Sequence, residues 1–275
     1  MKREPLRKLS STEGLTMQSR FDREIYEQLA GPFEEWPIII CPSCRRTSLE
    51  ASVDDFESTV SLDARDFDEW EPDWVSGYFH GKLECPRIGC ENRYVVAGTW
   101  NLESAGEATQ SSTEGFAKFY SVQYMLPGLP VMDFPVSVPE VVKEMTKTAG
   151  AILLVDPSAA ANRIRSAIEA LLDHQRVRKT SPRDKTRRLT THARIEIFQA
   201  KNQQAADHLM AMKWIGNVGS HERNTLPLGW VLDGMEHFAR AVELVYDPTT
   251  DQLEKRAKMI NKKGRKLRPK ATGSP

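Results

Sequence analysis

Apolar side chains recur at a helical period through the C-terminal half of the chain. After Asp156-Pro157, an acceptor cap followed by proline, an apolar stripe appears at Ala161, Ile164, Ile168, Leu171 and Leu172. Similar patterns cover EVVKEMTKTAGAILLV after Pro139, ARIEIFQAKN, QAADHLMAMKWI and a long segment from Leu228 to Val245. The sequence therefore predicts an all-helical bundle over residues 139–250.

The N-terminal half is strand-like instead. VSGYFHGKLEC and CENRYVVAGTW predict two strands joined by a short turn, and FAKFYSVQYMLP predicts a third. One short helix, FDREIYEQLA, lies in a polar lead-in at residues 1–36, and a proline-rich extended linker is predicted at residues 127–138. We expect an α+β chain: a β module over residues 37–126, the helical bundle, and a basic C-terminal helix or tail at 251–275.

All four cysteines fall in the predicted β module, as C-x2-C (Cys41, Cys44) and C-x4-C (Cys85, Cys90), with forty residues between the pairs. Two such pairs can close a tetrahedral zinc site, so we expect one structural zinc per chain in a zinc-ribbon-like module with an acidic insertion. The second pair is wider than usual, and His80 is an alternative ligand. A site with four protein ligands is closed, so no catalytic metal is expected.

Net charge is zero for the 275 residues, but the charges are segregated. Glu50–Asp73 contains ten acidic residues and one basic residue, Arg176–Arg188 contains seven basic and one acidic, and Lys255–Lys270 contains nine basic and none acidic. Basic blocks are common in solvated loops and tails, but they also favour an anionic partner. The N-terminus lacks the apolar run of a signal peptide and no apolar stretch is long enough to span a membrane, so we expect a cytoplasmic protein without a membrane partner.

The stretch HLMAMKWIGNVGSHERN interrupts an apolar helical pattern with Gly216 and Gly219. Each glycine is unfavourable in a helix by about 1 kcal/mol relative to alanine, so one interpretation is that the helix ends here. The other is that the helix continues and presents Asn217 and His221, four residues apart, on one face.

A second polar pair, Arg165 and Glu169, is also four residues apart and lies on the shoulder of the apolar stripe after Pro157. Taken alone, it is an ordinary i,i+4 ion pair on a solvated flank. Two such pairs on two helices of one bundle could instead form a cleft that holds Arg165, Glu169, Asn217 and His221 together.

ANRIRSAIEALL and, some forty residues later, LMAMKWIGNVGSH resemble a bacterial domain of unknown function found in restriction and anti-phage proteins. That domain is similar to the HEPN superfamily of helical bundles, many of them metal-independent ribonucleases. A zinc finger ahead of such a bundle resembles the ring-activated zinc-finger RNases of anti-phage defence. The resemblance implies a HEPN-like domain, a phage-derived activator of ring shape, an RNA substrate and a homo-oligomer.

The sequence departs from the HEPN pattern at Gly216, where those ribonucleases usually carry an arginine. If the site is active, Arg165 is the first candidate for the replacement cation and Lys213 the second. His221 would transfer protons near neutral pH, Arg165 would bind phosphate oxygens, Asn217 would orient the phosphate or the imidazole, and Glu169 would hold Arg165. The expected products are a 2′,3′-cyclic phosphate and a 5′-hydroxyl.

A different class of protein remains open. Gly216 at the arginine position favours a non-catalytic adaptor, in which a zinc ribbon and a helical module dock a partner or nucleic acid without cleaving it. A third interpretation is an accessory of DNA restriction, and it predicts loss of DNA rather than RNA.

Overall fold

Within the described part of the chain, one short helix precedes a five-stranded antiparallel sheet, and a helical bundle follows the sheet. The computed structural model describes residues 23–51, 56–62, 74–104, 115–221, 226–246 and 256–262, but not the side chains of residues 218–221. The elements are α1 (Arg23–Ala30), β1 (Glu50–Ala51), β2 (Glu57–Val60), β3 (Ser76–Glu84), β4 (Arg93–Ser104), β5 (Phe116–Leu126), α2 (Glu140–Ile152), α3 (Pro157–His174), α4 (Thr191–Gln199), α5 (Gln203–His221) and α6 (Leu228–Tyr246). A further helical segment covers residues 256–262. The predicted order of strands and then helices is confirmed.

The predicted strand alternation is visible in β3, where buried and exposed residues alternate from Gly77 to Glu84. β3 pairs with β4, and β4 pairs with β5, so the three predicted strands form the middle and one side of the sheet. Phe79, Leu83, Val96 and Trp100 lie on its buried face. The alternation of residues along each strand therefore determines which face of the sheet packs inward.

The acidic segment after residue 49 forms two short strands that sequence reasoning missed. β1 pairs with the end of β3, and β2 pairs with its beginning. Phe56, just before β2, stacks on Trp36 with ring centroids 4.9 Å apart and lies against Gly81 of β3. A β-carbon at position 81 would meet the Phe56 ring at 1.7 Å, so this close approach requires glycine.

α3 is the central helix of the bundle and packs against α2, α4, α5 and α6. Its predicted stripe, represented by Ile164, Ile168 and Leu171, is completely buried. The predicted cap is also present, because the Asp156 carboxylate accepts a hydrogen bond of 2.8 Å from the backbone N–H of Ala159. No helix in the described ranges combines the length and apolar character that crossing a membrane requires.

The proline-rich connection has neither helix nor strand, as predicted, but it is packed rather than free. Leu129, Val131 and Met132 are buried in a core continuous with both the sheet and the bundle. The Tyr26 hydroxyl of α1 donates a 2.8 Å hydrogen bond to the Leu129 carbonyl, and Arg23 of α1 pairs with Asp233 of α6. The connection and α1 therefore join the sheet to the helices.

Candidate functional site

Two tight turns bring the four cysteines together. Cys41 and Cys44 lie in a turn closed by a hydrogen bond from the Cys41 N–H to the Thr47 carbonyl, 2.8 Å long. Cys85 and Cys90 lie between β3 and β4, where the Cys85 N–H donates to the Asn92 carbonyl at 2.9 Å. The residue after the second cysteine of each pair has a left-handed backbone, with φ of 53° at Arg45 and 46° at Glu91.

The sulfur positions have the dimensions of a tetrahedral metal site. All four Sγ atoms lie within 4.8 Å of one another, with 3.8 Å between Cys41 and Cys90 and 3.7 Å between Cys44 and Cys85. Zinc–sulfur bonds of about 2.3 Å in a tetrahedron give sulfur–sulfur edges of about 3.8 Å. All four thiols are free of disulfides, so these cysteines could hold a metal ion such as zinc.

The wider spacing of the second pair does not displace its sulfurs. The longer turn includes Gly89, whose φ of 84° is a left-handed conformation that glycine adopts readily. His80, the alternative ligand, is not part of the cluster, because it lies on the other face of β3 with its Nε2 3.3 Å from a carboxylate oxygen of Glu57.

Polar groups around the sulfurs favour thiolates at two positions. A hydrogen bond from the Arg46 backbone N–H lowers the pKa of Cys44 to about 5. The Thr47 hydroxyl, 3.2 Å from the Cys85 sulfur, also lowers the pKa of Cys85. Burial raises the pKa of Cys41 to about 11. A metal held by these cysteines requires four thiolates, and the surroundings of Cys44 and Cys85 already favour the thiolate at two of the four positions.

The Arg165/Glu169 pair lies at a cleft of about 350 Å³ between α3, the basic segment and the start of α4. Nearly all of its lining side chains are charged or carry a hydroxyl: Arg165, Glu169, Asp173, Lys179, Arg188, Leu189, Thr190, Thr191 and Arg194. Arg165 is half-buried and Glu169 is exposed. A cleft of this composition suits an ionic ligand better than an apolar one.

The structure brings Arg165 and Asn217 together across the α3–α5 seam. The Arg165 guanidinium donates a long hydrogen bond of 3.5 Å to the Asn217 side-chain oxygen. The contact joins one member of each of the two polar pairs singled out in the sequence.

Glu169 does not hold Arg165 as expected. Its carboxylate accepts a 2.6 Å hydrogen bond from the Thr191 hydroxyl at the start of α4, and among the described residues no ion pair links it to Arg165. The expected role for Glu169 is therefore wrong in this structure, where Glu169 ties α3 to α4.

The interpretation that the helix ends at the two glycines is wrong, because α5 runs without a break from Gln203 to His221. Gly216 faces α3, where a β-carbon would lie 3.6 Å from the Ala161 carbonyl, an ordinary contact distance. Positions 217 and 221 are one turn apart in this continuous helix and so share a face. The His221 side chain itself lies outside the described part of the chain.

Lys213 lies on α5 one turn before Asn217 and is 7% exposed. Burial, and then the nearby charge of Arg165, lower the pKa of Lys213. Its Nζ lies 3.4 Å from the centre of the neighbouring Trp214 ring. Lys213, the second candidate cation, is therefore close enough to Arg165 for the two positive charges to interact.

Comparison with known families divides the chain at nearly the same place as the fold does. Residues 32–125 match the family described as Domain of unknown function (DUF8608). Residues 147–263 match the family described as Domain of unknown function (DUF4145). No curated protein and no solved structure matches the chain. The sheet with its cysteine cluster thus falls within one family match, and Arg165, Glu169, Asn217 and His221 fall within the other.

Sequence reasoning missed an ion-pair network beside these residues. Arg194, whose side chain is 5% exposed, donates 2.6 Å to Asp173 and 3.1 Å to the Val177 carbonyl, and Lys179 lies 2.7 Å from the other Asp173 oxygen. Burial alone would raise the pKa of Asp173, but hydrogen bonds from Lys179 and Arg194 lower it. The available signal was the four-residue spacing of Arg165, Glu169 and Asp173 along one face of α3.

Proposed function

We propose that this protein is an anti-phage ribonuclease, whose helical half cleaves RNA without a metal ion and whose cysteine cluster holds a structural zinc. The contact between Arg165 and Asn217 carries the proposal, because it joins the two polar pairs across α3 and α5. The likeness of the same residues to HEPN-like ribonucleases gives that geometry a chemical interpretation. The cleft beside Arg165, rich in cations, supports a polyanionic substrate.

RNA carries its own nucleophile, the 2′-hydroxyl, so cleavage requires proton transfer and stabilisation of negative charge on the phosphorus. His221 moves the protons, since the unperturbed pKa of histidine is about 6.5. Arg165 places two N–H groups on phosphate oxygens, and Asn217 fixes the guanidinium through its side-chain oxygen. The products are a 2′,3′-cyclic phosphate and a 5′-hydroxyl.

Gly216 leaves the usual arginine position without a side chain, and two nearby cations can compensate. Arg165 lies against Gly216, with its Cδ 3.8 Å from where a β-carbon would be. Lys213 lies on the same helix as Asn217 and interacts electrostatically with Arg165. In this proposal Arg165 contacts the phosphate and Lys213 adds positive charge behind it.

The cysteine cluster serves folding and recognition rather than chemistry. Four thiolates at tetrahedral spacing suit zinc and leave no open coordination position for a substrate. Cys41, Cys44, Cys85 and Cys90 would hold the ion and so fix the two turns. The likeness to ring-activated zinc-finger RNases supports a sensing role, in which the sheet module binds a phage-derived protein assembly and a homo-oligomer then cleaves RNA to stop translation.

Gly216 also favours the alternative, a non-catalytic zinc-containing adaptor of a restriction or defence system. Without an arginine there, the helical half would bind nucleic acid or a partner through the same basic cleft and release no products.

Induced expression, with and without phage proteins, separates the two functions. The ribonuclease gives phage-dependent loss of RNA with 2′,3′-cyclic phosphate and 5′-hydroxyl ends. Intact RNA under full expression and phage challenge would favour the adaptor, and loss of DNA with intact RNA would favour a restriction accessory.

A further inference from the structure

The cleft between α3 and α4 carries more positive than negative charge once its internal pairs are counted. Its lining contains the cations Arg165, Lys179, Arg188 and Arg194 but only two carboxylates. One carboxylate, Asp173, pairs with both Lys179 and Arg194, and the other accepts the Thr191 hydroxyl. Among the described residues, no acid pairs with Arg165 or Arg188.

The N-terminus of α4 opens at the same cleft. Thr190 caps this nine-residue helix, its hydroxyl accepting a 3.2 Å hydrogen bond from the Ala193 N–H. The first N–H groups of an α-helix have no partner inside the helix and carry partial positive charge, so they favour an anion. Thr190 and Thr191 line the cleft at this point. The Thr190 hydroxyl can donate a hydrogen bond to an anion, whereas the Thr191 hydroxyl donates to Glu169.

Arg194 is a largely buried cation in the wall of the cleft. Its side chain is 5% exposed and lines the cleft, and its Nε is buried without a hydrogen-bond partner among the described residues. A buried guanidinium N–H left unpaired is costly and is rare in folded proteins. Asp173 neutralises only part of the charge, because it is shared with Lys179.

We propose that the α3–α4 cleft is a phosphate site, in which Arg188, Arg165 and the first turn of α4 bind a phosphate group of an RNA backbone. This inference rests on the proposed function, and it extends the RNA-binding surface from the reacting residues to α4. Asp173 and Glu169 position the site: Asp173 fixes Arg194 and Lys179, and Glu169 fixes Thr191. The site recognises phosphate and carries no base preference.

The test uses the full chain and a fluorescent single-stranded oligonucleotide with a 2′-O-methyl group on every nucleotide, which cannot be cleaved. Arg188→Gln removes a cation that lines the cleft, and Arg187→Gln removes its exposed neighbour, which does not line it. We expect Arg188→Gln to weaken binding about tenfold and to reduce the slope of log K against log salt by about 0.7. Arg187→Gln is expected to stay within about twofold of wild type.

Equal losses in the two variants would overturn the site, because the binding would then be diffuse attraction by the basic segment. At matched ionic strength, inorganic phosphate should displace the oligonucleotide better than chloride in wild type, and no better in Arg188→Gln. Equal displacement by both anions in wild type would also refute a phosphate site. An oligonucleotide that binds no more tightly than inorganic phosphate would refute the assignment to an RNA backbone.

The two proposals fail differently. Cleavage of unmodified RNA that requires His221, together with equal binding by Arg187→Gln and Arg188→Gln, would sink the phosphate site and leave the ribonuclease standing. Selective loss of binding in Arg188→Gln, without any RNA cleavage by wild type in the presence of phage proteins, would keep the phosphate site and sink the ribonuclease.

Discussion

The cysteine cluster and the α3–α4 cleft are assembled in different ways. Each cysteine pair lies in one tight turn, so short-range backbone geometry positions two sulfurs at once. The pairing of β1, which follows the first turn, with the end of β3, which precedes the second, brings the two turns together. The cleft takes its side chains from two helices and the segment between them, and a 3.5 Å contact links it to a third helix, α5. Local sequence therefore positions each cysteine pair, whereas helix packing assembles the cleft.

The largest effect is expected from removing metal ligands. A Cys41→Ser/Cys85→Ser double variant should lose its metal and unfold the sheet module, because structural zinc contributes binding free energy on the order of 10 kcal/mol to folding. Metal analysis and thermal unfolding measure both consequences. His80→Ala is the matched control and should keep one zinc per chain, since His80 lies outside the cluster. Full zinc content in the double variant would contradict the assignment.

A smaller loss is expected in the cleft from Asp173→Asn. The substitution leaves the buried Arg194 without its carboxylate and should lower the free energy of unfolding by about 2 kcal/mol, less than for a fully buried pair because Asp173 is 37% exposed. Asp184→Asn, in the exposed basic segment, is the control for the change of charge. Chemical denaturation measures both variants, and equal losses would contradict a specific contribution of the Asp173–Arg194 pair to stability.

The pH dependence of that loss has a definite sign. The pKa of Asp173 is lower in the folded state than the value of about 3.9 expected when unfolded, so its contribution is complete above pH 4. It is lost as pH falls through the folded-state pKa. The difference in stability between wild type and Asp173→Asn should therefore shrink below about pH 4. A difference in stability that instead grows as the pH falls would contradict the ion pairs of Asp173.

The sequence anticipated what short-range patterns control. It predicted the three long strands, the Asp156 cap and the stripe on α3, because each depends on residues a few positions apart. It also predicted the four cysteines of the cluster, because each pair has the short spacing of metal ligands. It also suggested that Arg165 and Asn217 meet, although they are 52 residues apart, because both lie on helices whose apolar faces pack together.

Tertiary contacts decided the features that the sequence did not disclose. β1 and β2 exist because the edge of β3 pairs with an otherwise acidic segment, and Phe56 packs on Trp36 beneath it. α5 continues through its glycines because packing outweighs a propensity cost of about 1 kcal/mol per residue. Arg194 could not be recognised as part of the cleft before its partner Asp173, on another helix, was placed.

The smallest expected change in stability comes from replacing either of two glycines that lie inside helices. Gly216→Ala should stabilise the fold by up to about 1 kcal/mol, because the added methyl group meets ordinary contact distances and alanine favours a helix. Gly234→Ala should destabilise it, because a β-carbon there would lie 2.4 Å from the sulfur of buried Met212. Chemical denaturation compares the two. Destabilisation by Gly216→Ala would show that α3 and α5 approach more closely than described.

The central claim, that the helical half cleaves RNA, is tested most directly by the cleavage rate of purified His221→Ala under conditions in which wild type is active. The account predicts a loss of about a hundredfold or more, with wild-type zinc content and thermal stability, and a loss nearly as large for Arg165→Ala. His80→Ala, which removes an exposed histidine of the sheet, should cleave at the wild-type rate. A folded, zinc-loaded His221→Ala protein that degrades RNA as fast as wild type would contradict the account.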